Sequence, residues 1–271
     1  MYPASFRYLR PSSLDEAEQM FNSASDPSYV AGGQSLIPAM KQRLANPSEL
    51  IDLSRIPALS FIRRDGDLLV IGAGTKHADV AVSAEVQRAI PALAILAGLI
   101  GDPAVRHRGT LGGSIANNDP AADYPAAVLA LDAVVTTNRR KITADAFFTG
   151  MFETALQPGE IVTQVAFRLP GRAAYMKFPN PASRYAMPGV FVAEHGRAIR
   201  VAVTGAAACV HRAAELESAL AEGFTPKSIE TVPIAAEEFT SDLFASAEYR
   251  AHLVKVMAQR AVASMLSSRH G

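Results

Sequence analysis

The spacing of apolar and polar positions predicts short strands mixed with helices along the whole chain. Helices are predicted over 13–24, 84–99, 121–131, 215–220 and 245–266. Strands are predicted over 29–31, 50–53, 61–62, 68–71, 134–137, 161–167, 175–178, 190–193 and 199–204. Because these strands do not form regular βαβ units, the pattern favours the α+β class.

Several boundaries have a local chemical cause. A capping box at Ser13 starts the first helix, and Pro91 should kink or break the second. Asp65-Gly66 lies between two apolar runs and predicts a type I′ hairpin. His195-Gly196 predicts a second hairpin, and Pro170-Gly171 predicts a subdomain boundary.

Composition narrows the class of protein. Among 271 residues, 26 Lys and Arg balance 26 Asp and Glu, so no basic excess points to nucleic acid. No apolar run of membrane-spanning length and no signal-peptide pattern over 1–10 are present, so we expect a cytoplasmic protein without a membrane span. The single cysteine, Cys209, excludes an intrachain disulfide and a multi-cysteine metal or iron–sulfur site, and its apolar neighbours predict a buried thiol.

Two glycine-rich motifs are the strongest candidate chemistry. The first contains Ala31, Gly32, Gly33, Gln34, Ser35 and Leu36, and the second contains Thr110, Leu111, Gly112, Gly113 and Ser114. Glycine-rich turns can present consecutive backbone N–H groups to an anion, so the two motifs could bind the two phosphates of one dinucleotide. Each could also be a plain turn. Neither is a P-loop or a Rossmann fingerprint.

Polar residues flank the second motif. Asn117, Asn118, Asp119 and Asp123 offer acceptors for ribose hydroxyls, or the Asn-Asn-Asp-Pro sequence only forms a turn and caps the following helix. The cations at 106–108 add positive potential near a phosphate, or they form a solvated face. The histidines at 77, 107, 195 and 211 are scattered, and no catalytic triad or metal site is predicted.

These residues together resemble the FAD-binding medium subunit of molybdenum hydroxylases, the family of aerobic carbon monoxide dehydrogenase and xanthine dehydrogenase. The resemblance rests on AGGQSLIPAMKQRL at 31–44, on the segment 98–133 with both TLGGSI and DPAADYPAA, and on PGEIVTQVAFRLP at 158–170. It continues through YMKFPNPASRYAMPGVFVA at 175–193 and SAEYRAHLVKVMAQRA at 246–261, and so covers nearly the whole chain.

The resemblance implies a vanillyl-alcohol-oxidase-like FAD-binding domain of two α/β lobes. This domain would span 1–170, with lobes at about 1–55 and 56–170. A smaller C-terminal domain over 171–271 would contain a three-stranded antiparallel sheet and helices.

The resemblance also assigns residues. The two glycine motifs would wrap the FAD pyrophosphate, and Asp123 would contact the ribose side of the adenosine. Ile100 and Val162 would line the flavin or adenine pocket, and Tyr185 would be a neighbour of the ring. Lys177 would approach the polar edge of the isoalloxazine, where a cation stabilises the anionic reduced flavin.

The chain departs from the family pattern at two positions. Gln34 replaces the usual histidine of the first motif, and Ser114 replaces the usual asparagine of the second. Glutamine and serine still donate hydrogen bonds, so FAD binding is expected while tuning of the flavin is in doubt.

The implied activity is electron transfer within an oxidoreductase. A large partner would hold molybdopterin and oxidise the substrate, and a small partner would hold two [2Fe–2S] clusters. The whole would be a dimer of heterotrimers. The lack of a nicotinamide motif favours a quinone or another non-nicotinamide acceptor. Two alternatives remain: a scaffold subunit that has lost FAD, or a self-sufficient flavin oxidase.

Overall fold

The structure, a computed structural model, describes residues 2–267. The expected outer domain limits at residues 1 and 271 therefore lie outside the described residues. Within 2–267, the mixture of helices and small sheets confirms the α+β class. In the same range, no helix is both long and apolar enough to cross a membrane.

The first part of the chain forms a three-stranded parallel sheet in the order β1-β3-β2. Its elements are β1 (Arg7–Leu9), α1 (Leu14–Ser23), β2 (Pro27–Val30), α2 (Leu36–Lys41) and β3 (Glu49–Asp52). The predicted first helix is confirmed, because the Ser13 hydroxyl accepts from the backbone N–H of Glu16 at 3.2 Å. This lobe packs around a small core that includes Ala17 and Ile51.

The second part forms a five-stranded antiparallel sheet in the order β4-β5-β10-β6-β7. The strands of this sheet are β4 (Ile62–Asp65), β5 (Leu68–Gly72), β6 (Val134–Thr137), β7 (Lys141–Thr143) and β10 (Val162–Arg168). A separate two-stranded sheet contains β8 (Phe148–Gly150) and β9 (Glu153–Thr154). The helices of this part are α3 (His77–Val82), α4 (Ala84–Ala89), α5 (Pro91–Gly98), α6 (Pro103–Arg106), α7 (Leu111–Asn117), α8 (Tyr124–Ala130) and α9 (Ala144–Phe147). The largest apolar core lies between this sheet and α5, α7 and α8.

Of three predictions in this part, one is confirmed and two need correction. The chain breaks at Pro91, as expected, because proline begins a new helix there. The hairpin has Gly66 and Asp67 as its central residues, and only Gly66 has a positive φ, of 61°, so the turn is not type I′. The helix predicted from residue 121 begins at Tyr124, because Asp119 holds the preceding residues in a turn.

The third part packs helices on an antiparallel sheet of four strands. Its elements are β11 (Arg172–Pro179), β12 (Ala186–His195), β13 (Ala198–Thr204), β14 (His211–Arg212), α10 (Ala214–Glu222), α11 (Pro226–Glu230) and α12 (Ala247–Ser267). The predicted three-stranded sheet is thus one strand short. The extra strand has two residues that pair with Ala202 and Val203, too few to give an alternating pattern in the sequence.

Glu160 ties the end of the second sheet together. Its buried carboxylate accepts from the Arg140 guanidinium at 2.9 and 3.0 Å, from the Thr137 hydroxyl at 2.7 Å and from the Gln157 backbone N–H at 2.8 Å. These donors, the Arg140 hydrogen bond above all, lower the pKa of Glu160 to about 2. The ionised carboxylate therefore fixes the segment that leads into β10.

We predict that Glu160→Gln lowers the free energy of unfolding at neutral pH by about 1–3 kcal/mol. A carboxyl with a lowered native pKa stabilises the fold above its ordinary pKa and loses this effect as the pH falls. Here the loss runs from about 4.5 down to about 2. The free energy of unfolding of the variant should therefore fall less steeply than that of the wild type as the pH drops through this window. Urea unfolding at a series of pH values measures both.

Glu18→Gln is the matched control, because Glu18 and Arg139 form an ion pair that is about one third exposed. Glu18→Gln should lower the free energy of unfolding by less than about 1 kcal/mol. Equal effects of the two variants would contradict the role given to Glu160.

Candidate functional site

A cavity of about 910 Å³ lies between the part of the chain with the parallel sheet, the part with the five-stranded sheet, and the loop 180–185. This volume lies in the upper part of the range usual for small-molecule and cofactor sites. Both glycine motifs contribute to its wall. Residues about 80 positions apart in the sequence thus face one space.

The first glycine motif supplies unpaired backbone donors. It follows β2, and Gly33 has a φ of +72°, a conformation that side chains disfavour. Among residues 2–267, the backbone N–H groups of Gly32, Gly33, Gln34 and Ser35 have no hydrogen-bond acceptor. Successive N–H groups of this kind form an anion-binding concavity. The exposed side chains of Gln34 and Ser35 add further donors.

The second glycine motif is a helix rather than the predicted turn. Thr110 is the N-cap of α7, and its hydroxyl accepts from the N–H of Gly113 at 3.1 Å. The N–H groups of Leu111 and Gly112 donate to the carbonyls of Thr75 and Ala73 at 3.0 and 2.8 Å. These donors are therefore used within the protein. What the motif presents to the cavity are hydroxyl side chains and glycine backbone.

The glycines of both motifs permit close packing of protein on protein. A Cβ at Gly32 would stand 2.4 Å from the carbonyl oxygen of Arg108 and 2.6 Å from the Cα of Gly109. A Cβ at Gly112 would stand 2.5 Å from the Cβ of Ala73. Real Cβ atoms do not approach that closely. The absence of a side chain at Gly32 thus lets the first motif pack directly against the segment that enters the second motif.

Asp123 lines the cavity and is held from behind by residues of β11. The Tyr175 hydroxyl donates to its Oδ1 at 2.5 Å, and Lys177 Nζ lies 2.9 Å from Oδ1 and 3.0 Å from Oδ2. Lys177 also donates to the carbonyl of Leu99 at 3.1 Å. Burial raises the pKa of Asp123, while Lys177 and Tyr175 act in the opposite direction.

Most of the other residues predicted for the site also lie at the cavity. Ile100 and Val162 line it, and the partly exposed Tyr185 lies at the loop 180–185. Two predicted residues do not reach the cavity wall. Leu111 is fully buried in the main core, and the Lys177 side chain is 2% exposed in its pair with Asp123.

Several lining residues escaped the sequence analysis. Lys76 and His77 reach the cavity because the residue pair Lys76 and Thr110 forms a β-bridge. Burial lowers the pKa of His77 to about 4, so its imidazole is neutral. Arg184, in the loop 180–185, also lines the cavity. Its backbone has a φ of 62°, in the left-handed region. The glycine-rich sequence at 72–77, which starts at the last residue of β5, is the sequence signal for Lys76 and His77.

The polar residues that follow the second motif do not all face the cavity. Asn117 and Asp119 line the cavity, whereas Asn118 points away and donates to the carbonyls of Gly150 and Glu153 at 2.8 Å. Among the preceding cations, Arg108 lines the cavity. The thiol predicted to be buried, Cys209, is partly exposed.

Two family models match the chain in succession. Residues 4–170 match the FAD binding domain in molybdopterin dehydrogenase. Residues 173–265 match the CO dehydrogenase flavoprotein C-terminal domain. The cavity described above lies mainly within the first match, and β11 belongs to the second.

Individual relatives are similar over nearly the full length. The carbon monoxide dehydrogenase medium chain of Hydrogenophaga pseudoflava is 36% identical and covers 97% of each chain. The nicotine 6-hydroxylase medium subunit of Paenarthrobacter nicotinovorans is 34% identical over 94% of this chain and 95% of the other. A solved structure of CO dehydrogenase from Oligotropha carboxidovorans superposes with a TM-score of 0.90 at 32% identity, covering 98% and 99% of the two chains.

We predict that Gly32→Ala lowers the free energy of unfolding by about 1–3 kcal/mol, because the new methyl group overlaps backbone atoms that cannot rotate away. Gly171→Ala is the matched control, since a Cβ at Gly171 would stand 3.6 Å from the carbonyl oxygen of Glu194, an ordinary van der Waals contact. Urea unfolding of both variants measures the difference. A Gly32→Ala protein as stable as the control would contradict the close packing.

Proposed function

The chain belongs to the FAD-binding medium subunits of the molybdenum hydroxylases, a family of oxidoreductases, and we propose that it holds FAD in the cavity between its glycine motifs. FAD supplies redox chemistry that connects one-electron and two-electron partners. The observation that carries the proposal is the row of four unpaired N–H groups at 32–35, which faces the same cavity as the second motif. Such a row suits the pyrophosphate of a dinucleotide.

The residues fit FAD in a defined way. The first motif would bind the pyrophosphate through backbone N–H groups, and Thr110 and Ser114 would add hydroxyls from the other side. Asp123 would accept from the ribose side of the adenosine. Ile100 and Val162 would give apolar contact to a ring system, and Tyr185 would be the ring neighbour at the mouth. Leu111 and Lys177 would act indirectly, as support for the wall.

The departures from the family pattern leave donors in place. Gln34 lies exposed at the cavity, and the hydroxyl of Ser114 also lines it. We infer that both substitutions change individual hydrogen bonds rather than remove the phosphate cradle. This supports a FAD-carrying subunit over a scaffold that has lost the cofactor.

We further propose the place of this chain in a larger complex. A small subunit would pass electrons from its [2Fe–2S] clusters through the FAD held here to an external acceptor. A large molybdopterin subunit would oxidise the substrate, and the complex would be a dimer of heterotrimers. The relatives are named for carbon monoxide and nicotine enzymes, which fits a substrate chosen outside this chain. The division near residue 170 into a FAD-binding and a C-terminal domain is part of the same proposal.

The direct test is cofactor analysis of the purified full chain. We expect it to contain FAD, or to bind added FAD, at a stoichiometry of one per chain, and we expect its flavin to be reduced by a reduced [2Fe–2S] partner. A chain that circular dichroism shows to be folded but that takes up no FAD would overturn the proposal and favour the scaffold alternative. Reduction of the isolated flavoprotein by a small organic substrate would favour a self-sufficient oxidase.

We predict that Arg108→Gln weakens FAD binding by about two- to fivefold, the effect of one exposed charge near the pyrophosphate. The loss should shrink as salt rises, because screening already weakens the wild-type interaction. Titrating FAD into the cofactor-free chain at low and high salt measures this. Arg88→Gln is the control, since Arg88 is exposed and pairs with Glu85 on α4. Equal affinities for the two variants would contradict the role of Arg108.

A further inference from the structure

Tyr175 is a buried residue that reaches the cofactor cavity only through another side chain. It is 3% exposed, and its ring packs in the main core beside Phe191, with centroids 6.0 Å apart. Its hydroxyl donates to Oδ1 of Asp123 at 2.5 Å. Asp123 lines the cavity, whereas Tyr175 does not. The phenol therefore supports the cavity wall from behind.

The structure leaves room for this hydroxyl at one specific glycine. A Cβ at Gly189 on β12 would stand 2.3 Å from the Tyr175 oxygen and 3.0 Å from the Thr204 methyl group. Gly189 pairs with Lys177 across the β11 and β12 strands. Glycine is thus needed here for the space taken by the phenol, because any larger residue would push the hydroxyl away from Asp123.

Two donors on the same face of β11 converge on one carboxylate. Tyr175 and Lys177 are two residues apart in the strand, so their side chains lie on the same face. Both contact Asp123. The strand lies in the segment that matches the C-terminal family model, whereas Asp123 lies in the segment that matches the FAD-binding model. The C-terminal sheet thus supplies both donors that hold a cavity carboxylate.

We propose that Tyr175 is a positioning residue for FAD, through which the C-terminal sheet strengthens cofactor binding by fixing the carboxyl group of Asp123. This rests on the proposed function, in which Asp123 accepts from the adenosine ribose. A buried carboxylate with fewer donors is less stable as the anion and is free to rotate. Removing the phenol oxygen should therefore weaken FAD binding although that oxygen never touches FAD.

The test compares two Tyr→Phe variants of the full chain. Tyr175→Phe removes the donor to Asp123 and should weaken FAD binding about tenfold, the usual effect of a hydrogen bond to a charged group. Tyr124→Phe is the matched control, because the Tyr124 hydroxyl is buried with no hydrogen-bond partner among residues 2–267. It should change FAD affinity by less than about twofold. Calorimetric titration of FAD into each cofactor-free protein gives the affinities.

A double-mutant cycle separates positioning from general loosening of the structure. In an Asp123→Ala background, Tyr175→Phe should have little further effect on FAD affinity, because the acceptor through which it acts is gone. Gly189→Ala should reproduce the effect of Tyr175→Phe by displacing the phenol. A tenfold loss that persists in the Asp123→Ala background, or equal affinities of the two Tyr→Phe variants, would overturn the inference.

The outcomes also separate this inference from the proposed function. A wild-type chain that binds no FAD would overturn the proposed function and this inference with it. Wild-type binding that Tyr175→Phe leaves unchanged would overturn this inference alone. Unfolding midpoints of the cofactor-free proteins show whether any variant has lost stability, and a positioning role predicts an affinity loss at a midpoint close to that of Tyr124→Phe.

Discussion

The contact between Gly32 and the backbone of Arg108 and Gly109 is the constraint on which the cavity depends. A Cβ at Gly32 would stand 2.4 Å from the Arg108 carbonyl oxygen, so only glycine lets the two segments touch. The contact joins a small parallel sheet to a larger antiparallel sheet. Because the joint is backbone against backbone, it fixes the width of the space between the motifs independently of side-chain rotamers.

The two glycine motifs contribute different chemical groups to the cavity. The first leaves its N–H groups unpaired, whereas α7 uses those of the second for contacts with the protein, such as Gly112 to Ala73 at 2.8 Å. The first motif thus offers N–H donors to the cavity, and the second forms a rigid wall with hydroxyls. Asp123 completes the wall with its carboxylate held by Tyr175 and Lys177. The residues that line or support this cavity thus come from the three largest sheets and their connections.

Local chemistry made part of this structure predictable. The N-cap at Ser13, the break at Pro91 and the strand Val134–Thr137 follow from short-range rules, and the structure confirms them. The reciprocal bond of the predicted capping box is displaced by one residue, because the Glu16 side chain accepts from the backbone N–H of Ser12. The helix at the second motif was not predicted, because an N-cap threonine followed by a glycine pair is also typical of a turn. The partnership of Asp123 and Lys177 spans 54 residues, so no local pattern could reveal it. The family resemblance supplied those two residues as separate contacts, and only the fold shows that they act together.

Amide hydrogen exchange at Gly32, Gly33, Gln34 and Ser35, with and without FAD, tests the central claim most directly. These N–H groups lack acceptors among residues 2–267, so they should exchange rapidly in the cofactor-free chain and slow markedly when FAD binds. The amides of Gly112 and Gly113, which are already hydrogen-bonded, should change much less. Binding of FAD that leaves the exchange at 32–35 unchanged would contradict the account.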